Sequence, residues 1–181
     1  MRIISGEFGS RRIKIPRNLT IRPTTDQAKE GIFNIISNKV DLMGLKILDL
    51  FSGSGMVGLE FISRGAKVTF VEKNFEHFDK LKSYIEKLNA TEEISIINKD
   101  VLAWLDEAND EFDLIFVDPP FYETLAEKVL LKIKRNSLLA KSGNIYLEVE
   151  KDLDLSFLEK NWEVIKETNS GKKQYLLLKE K

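Results

Sequence analysis

No cysteine and only one histidine occur in this chain of 181 residues. The absence of cysteine excludes disulfides, thiolate zinc sites and cysteine nucleophiles, and it is typical of a protein in a reducing cytoplasm. One histidine without cysteine neighbours does not make a typical zinc site, so we expect no metal. The N-terminus has no apolar secretion signal, and no stretch approaches the roughly 18 apolar residues of a membrane span. We therefore expect a cytoplasmic protein that does not contact membranes.

The composition, 43% apolar and 31% charged, is typical of a single domain, which we expect to span residues 1–181. The net charge of -1 conceals a basic segment, because residues 1–22 carry six basic side chains and one acid, Glu7. The basic residues are Arg2, Arg11, Arg12, Lys14, Arg17 and Arg22. Alternating residues 12–15 after a turn at 7–10 predict a β-hairpin. Such an arm suggests a polyanionic partner, although the charges taken alone favour a solvated hairpin face.

From residue 46 onwards, short apolar runs alternate with longer amphipathic ones, which predicts an α/β fold with a mainly parallel sheet. The predicted strands are 46–50, 67–71, 94–97, 113–117, 144–149, 162–166 and 174–178. The last strand follows its predecessor too closely for a crossover helix, so we expect it to be antiparallel. Before the first strand, Thr24 and Gln27 stand at capping-box spacing and predict a helix that ends near residues 37–38.

A glycine-rich turn between a strand and a helix, at residues 48–58, is the sharpest local motif. Such turns cradle ligands, because glycine lets the backbone approach closely and the helix N-terminus presents unpaired amides. Gly53, Gly55 and Gly58 also satisfy the dinucleotide pattern G-x-G-x-x-G, so a nicotinamide or flavin cofactor is an alternative. Ser52 and Ser54 resemble a nucleophile elbow, but no histidine is placed to act as the base, which disfavours a hydrolase.

Four acidic residues stand at or just beyond the C-terminal ends of successive predicted strands: Asp49, Glu72, Asp100 and Asp118. These strand ends share one edge of the sheet, where ligands of α/β proteins bind. Glu72 is suited to the two ribose hydroxyls of either cofactor, and Asp100 to an adenine amino group. A row of carboxylates suits a sulfonium cation better than a pyrophosphate. Each acid taken alone is explained equally well as a helix cap or turn residue.

The strand at 113–117 runs into Asp118, Pro119, Pro120 and Phe121. A base amino nitrogen is a poor nucleophile, because its lone pair is delocalised into the ring. Asp118 and the Pro119 carbonyl could accept its hydrogens, while Phe121 stacks on a flipped or unpaired base. A hydrophobic plug is the alternative role for Phe121.

These residues resemble motif IV, [DNS]-P-P-[FYW], of the amino-group methyltransferases, and the glycine-rich turn resembles their motif I. More specifically, four segments resemble the family that methylates guanine N2 in bacterial 16S ribosomal RNA, the small-subunit methyltransferase D family. They are Arg-Ile-Ile-Ser-Gly at 2–6, Arg-Pro-Thr-Thr-Asp at 22–26, Leu-Asp-Leu-Phe-Ser-Gly-Ser-Gly at 48–55 and Ser-Arg-Gly-Ala at 63–66. Motifs I and IV also occur in DNA adenine-N6 and protein glutamine-N5 methyltransferases. A dinucleotide-binding or non-catalytic RNA-binding module is the alternative from another class.

The resemblance implies a Rossmann-like class I fold that uses S-adenosylmethionine, with a seven-stranded sheet, an antiparallel last strand and the basic hairpin. Its partner would be 16S ribosomal RNA or the assembling small subunit. The implied cofactor residues are Asp49, Phe51, Gly53 and Gly55 at the methionine part, Glu72 at the ribose, and Asp100 with Val101 at the adenine. Residues 118–121 would hold the target guanine. The remaining implied RNA contacts are Arg11, Arg12, Arg22, Thr24 and Thr25.

Overall fold

The computed structural model describes residues 1–13, 26–36, 41–89, 94–120 and 124–181. Its helices are α1 (Asp26–Ile36), α2 (Met56–Ser63), α3 (Phe75–Leu88), α4 (Val101–Leu105) and α5 (Leu125–Arg135). Its strands are β1 (Lys46–Leu50), β2 (Lys67–Glu72), β3 (Ser95–Asn98), β4 (Phe112–Val117), β5 (Leu139–Glu150), β6 (Trp162–Ser170) and β7 (Lys173–Glu180). The predicted cap of α1 at Thr24 lies outside the described residues.

All seven strands form one sheet in the order β3-β2-β1-β4-β5-β7-β6. The first five strands are parallel, and β7 lies between β5 and β6 and is antiparallel to both. This confirms the predicted mainly parallel α/β sheet with an antiparallel last strand. Strands β5 and β6 are longer than predicted. Pairing with β7 carries β6 through the polar residues 166–170, and Leu139 at the start of β5 pairs with Phe112 of β4.

Helices cover both faces of the sheet, so the central parallel strands β1 and β4 are buried on two sides. On one face, α1, α2 and α3 pack against residues such as Ile47, Phe70 and Phe116. On the other face, α4 and α5 pack against residues such as Leu48 and Ile115. Among the described residues, we find no helix with the length and apolarity that a membrane crossing requires.

The first thirteen residues fold back on themselves as the predicted hairpin requires. Arg2 and Arg12 form an antiparallel bridge, and the Ile3 amide donates to the Arg11 carbonyl at 3.0 Å. Ile3, Phe8 and Ile13 are buried in the same apolar layer as α1 and α2. Residues 14–22 of the predicted arm lie outside the described residues.

A buried carboxylate fastens this hairpin to α2. Glu60 is fully buried and accepts the amides of Ile4 at 2.7 Å and Ser5 at 3.0 Å. Arg64 completes the set with an ion pair to Glu60 at 3.1 Å. One turn further along α2, Ser63 accepts the Phe8 amide through its hydroxyl at 2.9 Å. Because a buried charge is stable only when it is paired, these contacts hold residues 1–13 firmly against α2.

Candidate cofactor and substrate site

The glycine-rich loop leaves β1 in an unusual backbone conformation. Phe51, Gly53 and Gly55 have φ angles of 60°, 54° and 70°. For a bulky residue such as Phe51, this left-handed conformation costs about 1–2 kcal/mol and is characteristic of functional loops. The Ser52 hydroxyl steadies the turn by donating to the Asp49 carbonyl at 2.7 Å.

The glycines of this loop have different surroundings. A Cβ on Gly53 would meet only the Phe51 carbonyl, at 3.8 Å, so this residue borders open space. A Cβ on Gly55 would lie 2.3 Å from Cδ1 of Leu81 in α3. On Gly58, it would lie 2.0 Å from the Phe70 ring. The absence of a side chain at Gly55 therefore lets the loop pack against α3.

Asp49 lies within β1, one residue before its end, and it is buried with 2% of its surface exposed. Burial raises the pKa of Asp49 well above its ordinary value, against a lowering effect of the nearby Gly58 amide. The negative charges of Asp118 and Glu72 raise this pKa further. Its Oδ2 atom has no hydrogen-bond partner among the described residues. A buried acceptor of this kind is suited to a positively charged donor.

Glu72 joins the end of β2 to the glycine-rich loop. Its Oε2 atom accepts the Gly53 amide at 2.7 Å, and its Oε1 atom accepts the Asn74 amide at 2.7 Å. The Nδ1 atom of His77 lies 3.7 Å from Oε1. Each carboxylate oxygen keeps a second lone pair, so Glu72 can still accept two hydroxyl groups from a ligand.

Asp100 is the N-cap of α4. Its Oδ1 atom accepts the amides of Leu102 at 3.0 Å and Ala103 at 3.3 Å, and Lys73 donates to Oδ2 at 3.2 Å. Burial acts to raise the pKa of Asp100, but the hydrogen bonds from Lys73 and the helix amides bring it below its ordinary value. The following Val101 is buried. The helix-cap role, one of the two explanations for this acid, is therefore observed.

Asp118 directly follows β4, whose last residue, Val117, pairs with Leu50 of β1 and Leu147 of β5. Its side chain is 37% exposed, and its Oδ1 atom lies 4.0 Å from Nζ of Lys173. Pro119 is buried and Pro120 is exposed. The parallel strands thus bring the carboxylates of Asp49, Glu72 and Asp118 together at their C-terminal ends. We name these three carboxylates and the glycine-rich loop the crevice.

Two further charged residues at the crevice were missed by sequence reasoning. Glu148 of β5 is buried and forms an ion pair with Lys173 of β7. Nothing in the local sequence signals this pair, because it depends on the pairing of two strands. Nearby, the buried Tyr146 stacks on Phe116 with ring centroids 4.8 Å apart.

The remaining predicted site residues divide into two groups. Arg11 and Arg12 are exposed, and the Arg11 guanidinium lies over the Phe8 ring, 4.9 Å from its centroid. Arg22, Thr24, Thr25 and Phe121 lie outside the described residues.

Of the aromatic residues of α3, Tyr84 is buried, whereas Phe75 is 65% exposed. Phe75 is the first residue of the helix, and its ring centroid lies 6.0 Å from that of Phe78.

The strand order and the position of the glycine-rich loop define a Rossmann-like class I methyltransferase fold. A Staphylococcus aureus structure described as a caffeoyl-CoA O-methyltransferase shares this fold at 15% identity, with a TM-score of 0.70 over 88% of this chain and 86% of that one. The Escherichia coli yhhF structure matches with a TM-score of 0.89 and 28% identity over 99% of this chain and 97% of that one.

At the sequence level, the family model described as conserved hypothetical protein 95 matches residues 1–179. The ribosomal RNA small subunit methyltransferase D of Buchnera aphidicola subsp. Baizongia pistaciae is 36% identical over 98% of this chain and 90% of its own length. The chain belongs to the conserved hypothetical protein 95 family and to the ribosomal RNA small subunit methyltransferase D family. The family resemblance drawn from its motifs is thereby confirmed.

Proposed function

We propose that this protein transfers a methyl group from S-adenosylmethionine to N2 of a guanine in 16S ribosomal RNA, as a single cytoplasmic domain. The observation that carries the proposal is the position of Asp118, followed by Pro119 and Pro120, at the strand ends where Asp49 and Glu72 also lie. The names of the relatives support ribosomal RNA as the substrate. The choice of guanine N2 rests on the motif resemblance.

The crevice suits S-adenosylmethionine in three respects. The unpartnered Oδ2 of Asp49 offers a buried acceptor for an ammonium group, and the open side of Gly53 leaves room for a ligand. Glu72 retains acceptor capacity for the two ribose hydroxyls. Asp100 and Val101 would border the adenine, and Phe51 and Gly55 would shape the loop. The cofactor supplies an electrophilic methyl group on a sulfonium, whose positive charge fits a crevice lined by carboxylates.

The chain contributes to methyl transfer mainly through positioning. Asp118 and the Pro119 carbonyl would accept the hydrogens of the amino group and direct its lone pair towards the methyl group. After transfer, the nitrogen must lose one proton. The Asp118 carboxylate can take it and pass it to water, because this side chain is partly exposed. Phe121 would stack on the base, with Arg22, Thr24 and Thr25 closing over it.

We predict that the purified protein methylates guanine N2 in 16S ribosomal RNA or small subunits from cells lacking it. Methylated positions are mapped by mass spectrometry of nuclease digests.

Calorimetry is expected to show binding of S-adenosylhomocysteine and no binding of NAD, since the acidic crevice disfavours a pyrophosphate. Binding of NAD without S-adenosylhomocysteine would contradict the cofactor assignment. Methyl transfer to DNA adenine or protein glutamine instead of ribosomal RNA would contradict the substrate.

The arm provides a second prediction, because Arg11 and Arg12 are both exposed on it. Changing both to glutamate is expected to weaken RNA binding and to make the slope of log affinity against log salt shallower by about 1 for each phosphate that is no longer neutralised. Filter binding across a salt series measures both quantities. Cofactor affinity is expected to stay unchanged. If the folded double variant keeps the wild-type RNA affinity and salt slope, Arg11 and Arg12 do not contact RNA and belong to a solvated hairpin face.

A further inference from the structure

A lysine lies between two carboxylates on the face of the sheet that carries α1 to α3. Val117 of β4 pairs with Leu147 of β5, so Asp118 and Glu148 follow at neighbouring register positions. Lys173 of β7 forms an ion pair with Glu148, and its Nζ atom lies 4.0 Å from Oδ1 of Asp118. Two adjacent carboxylates repel each other, and the cation between them offsets that repulsion.

The surroundings of this group strengthen its electrostatic interactions. The side chains of Glu148 and Lys173 are 5% and 16% exposed, whereas that of Asp118 is 37% exposed. The ring of the fully buried Tyr146 lies on the same face, stacked on Phe116 two residues before Asp118. In such apolar surroundings, a charge 4 Å away acts more strongly than it does in water. Because Asp118 is the most exposed of these three side chains, it is the one that can contact a substrate.

From this geometry we infer that Lys173, held by Glu148, is a positioning residue for methyl transfer: it orients Asp118 and keeps it an ionised acceptor. The role rests on the proposed function, because Asp118 matters in this way only if it receives the hydrogens of an amino group. A protonated Asp118 would offer a donor where the mechanism needs an acceptor. Glu148 contributes by restricting Lys173, whose long side chain would otherwise sample many rotamers.

The test compares Lys173→Met with Lys172→Met, the exposed neighbour in the β6–β7 turn. Lys173→Met is expected to lower kcat by a factor on the order of 10 or more, with the KM for RNA and the affinity for S-adenosylhomocysteine nearly unchanged. Lys172→Met is expected to retain wild-type kcat. Lys173→Arg keeps the cation and is expected to restore most of the missing rate.

Lys173→Met leaves the Glu148 carboxylate buried without its partner and can reduce stability. A double-mutant cycle separates this loss of stability from the effect on kcat. Glu148→Gln alone is expected to lower kcat, and the double variant Lys173→Met/Glu148→Gln is expected to be no slower than Lys173→Met. Thermal melting identifies the folded variants.

The outcomes separate this role from the proposed function. Wild-type kcat in a folded Lys173→Met or double variant overturns the positioning role while the proposed function stands. Equal losses in Lys172→Met and Lys173→Met also overturn it, because they would indicate a general effect of surface charge on RNA. Absence of methyl transfer to ribosomal RNA by the wild-type protein overturns the proposed function and this role with it.

Discussion

Replacing Asp118 by alanine is expected to lower the rate of methyl transfer by a factor on the order of 100 or more, as when a positioned acceptor is removed from a transition state. Single-turnover kinetics with the RNA substrate measure this rate without a contribution from product release. Affinity for S-adenosylhomocysteine is expected to change little, because Asp118 lies beyond the loop that would hold the cofactor.

Two variants sharpen this test. Asp118→Asn keeps one oxygen acceptor and nearly the same shape, so its loss of rate is expected to be smaller than that of the alanine variant. Asp152→Ala removes an exposed acid just after β5 and is expected to retain full activity. Wild-type single-turnover rates in Asp118→Ala would mean that this residue only forms a turn, and the proposed mechanism would be wrong.

Replacing Glu72 by alanine is expected to weaken binding of S-adenosylhomocysteine on the order of 100-fold, because two hydrogen bonds to a charged acceptor are together worth about 3 kcal/mol or more. The same change removes the acceptor that holds the Gly53 and Asn74 amides at 2.7 Å. The glycine-rich loop therefore loses the hydrogen bond that connects it to the end of β2. Isothermal titration calorimetry measures the affinity.

The matched control is Glu76→Ala, which removes an exposed acid from the first turn of α3. It leaves the hydrogen bonds of Glu72 in place and is expected to bind S-adenosylhomocysteine as the wild type does. Urea unfolding separates a weaker ligand site from a disrupted fold. An affinity within a few fold of the wild type in Glu72→Ala would remove this residue from the cofactor site.

Strands β1, β2 and β4 could be predicted to within one residue, because burial makes them continuous apolar runs. Once β1, β2 and β4 were located, their ends indicated where Asp49, Glu72 and Asp118 would meet. The order of the strands within the sheet could not be predicted from the sequence in the same way. The short β6–β7 connection predicted an antiparallel pair, but the insertion of β7 between β5 and β6 depends on packing across the sheet.

The contacts that sequence reasoning missed join distant parts of the chain. Glu60 accepts amides from residues 55 and 56 positions away, and no local pattern announces such a contact. Lys173 and Glu148 meet only because β5 and β7 pair. Gly55 fits a ligand-binding pattern by its letters, yet the side chain it lacks would collide with Leu81. Glycine patterns do not distinguish space needed for a ligand from space needed for a neighbouring helix.

The anchoring of residues 1–13 by Glu60 also determines when this segment loses its conformational freedom. Because its first residues are fastened to α2 in the folded protein, that entropy is lost during folding and adds nothing to the cost of a later association. Helix α2 has eight residues and is therefore about 12 Å long, with the glycine-rich loop at its start and the arm at its end. Helix α2 thus fixes residues 1–13 of the hairpin relative to the glycine-rich loop.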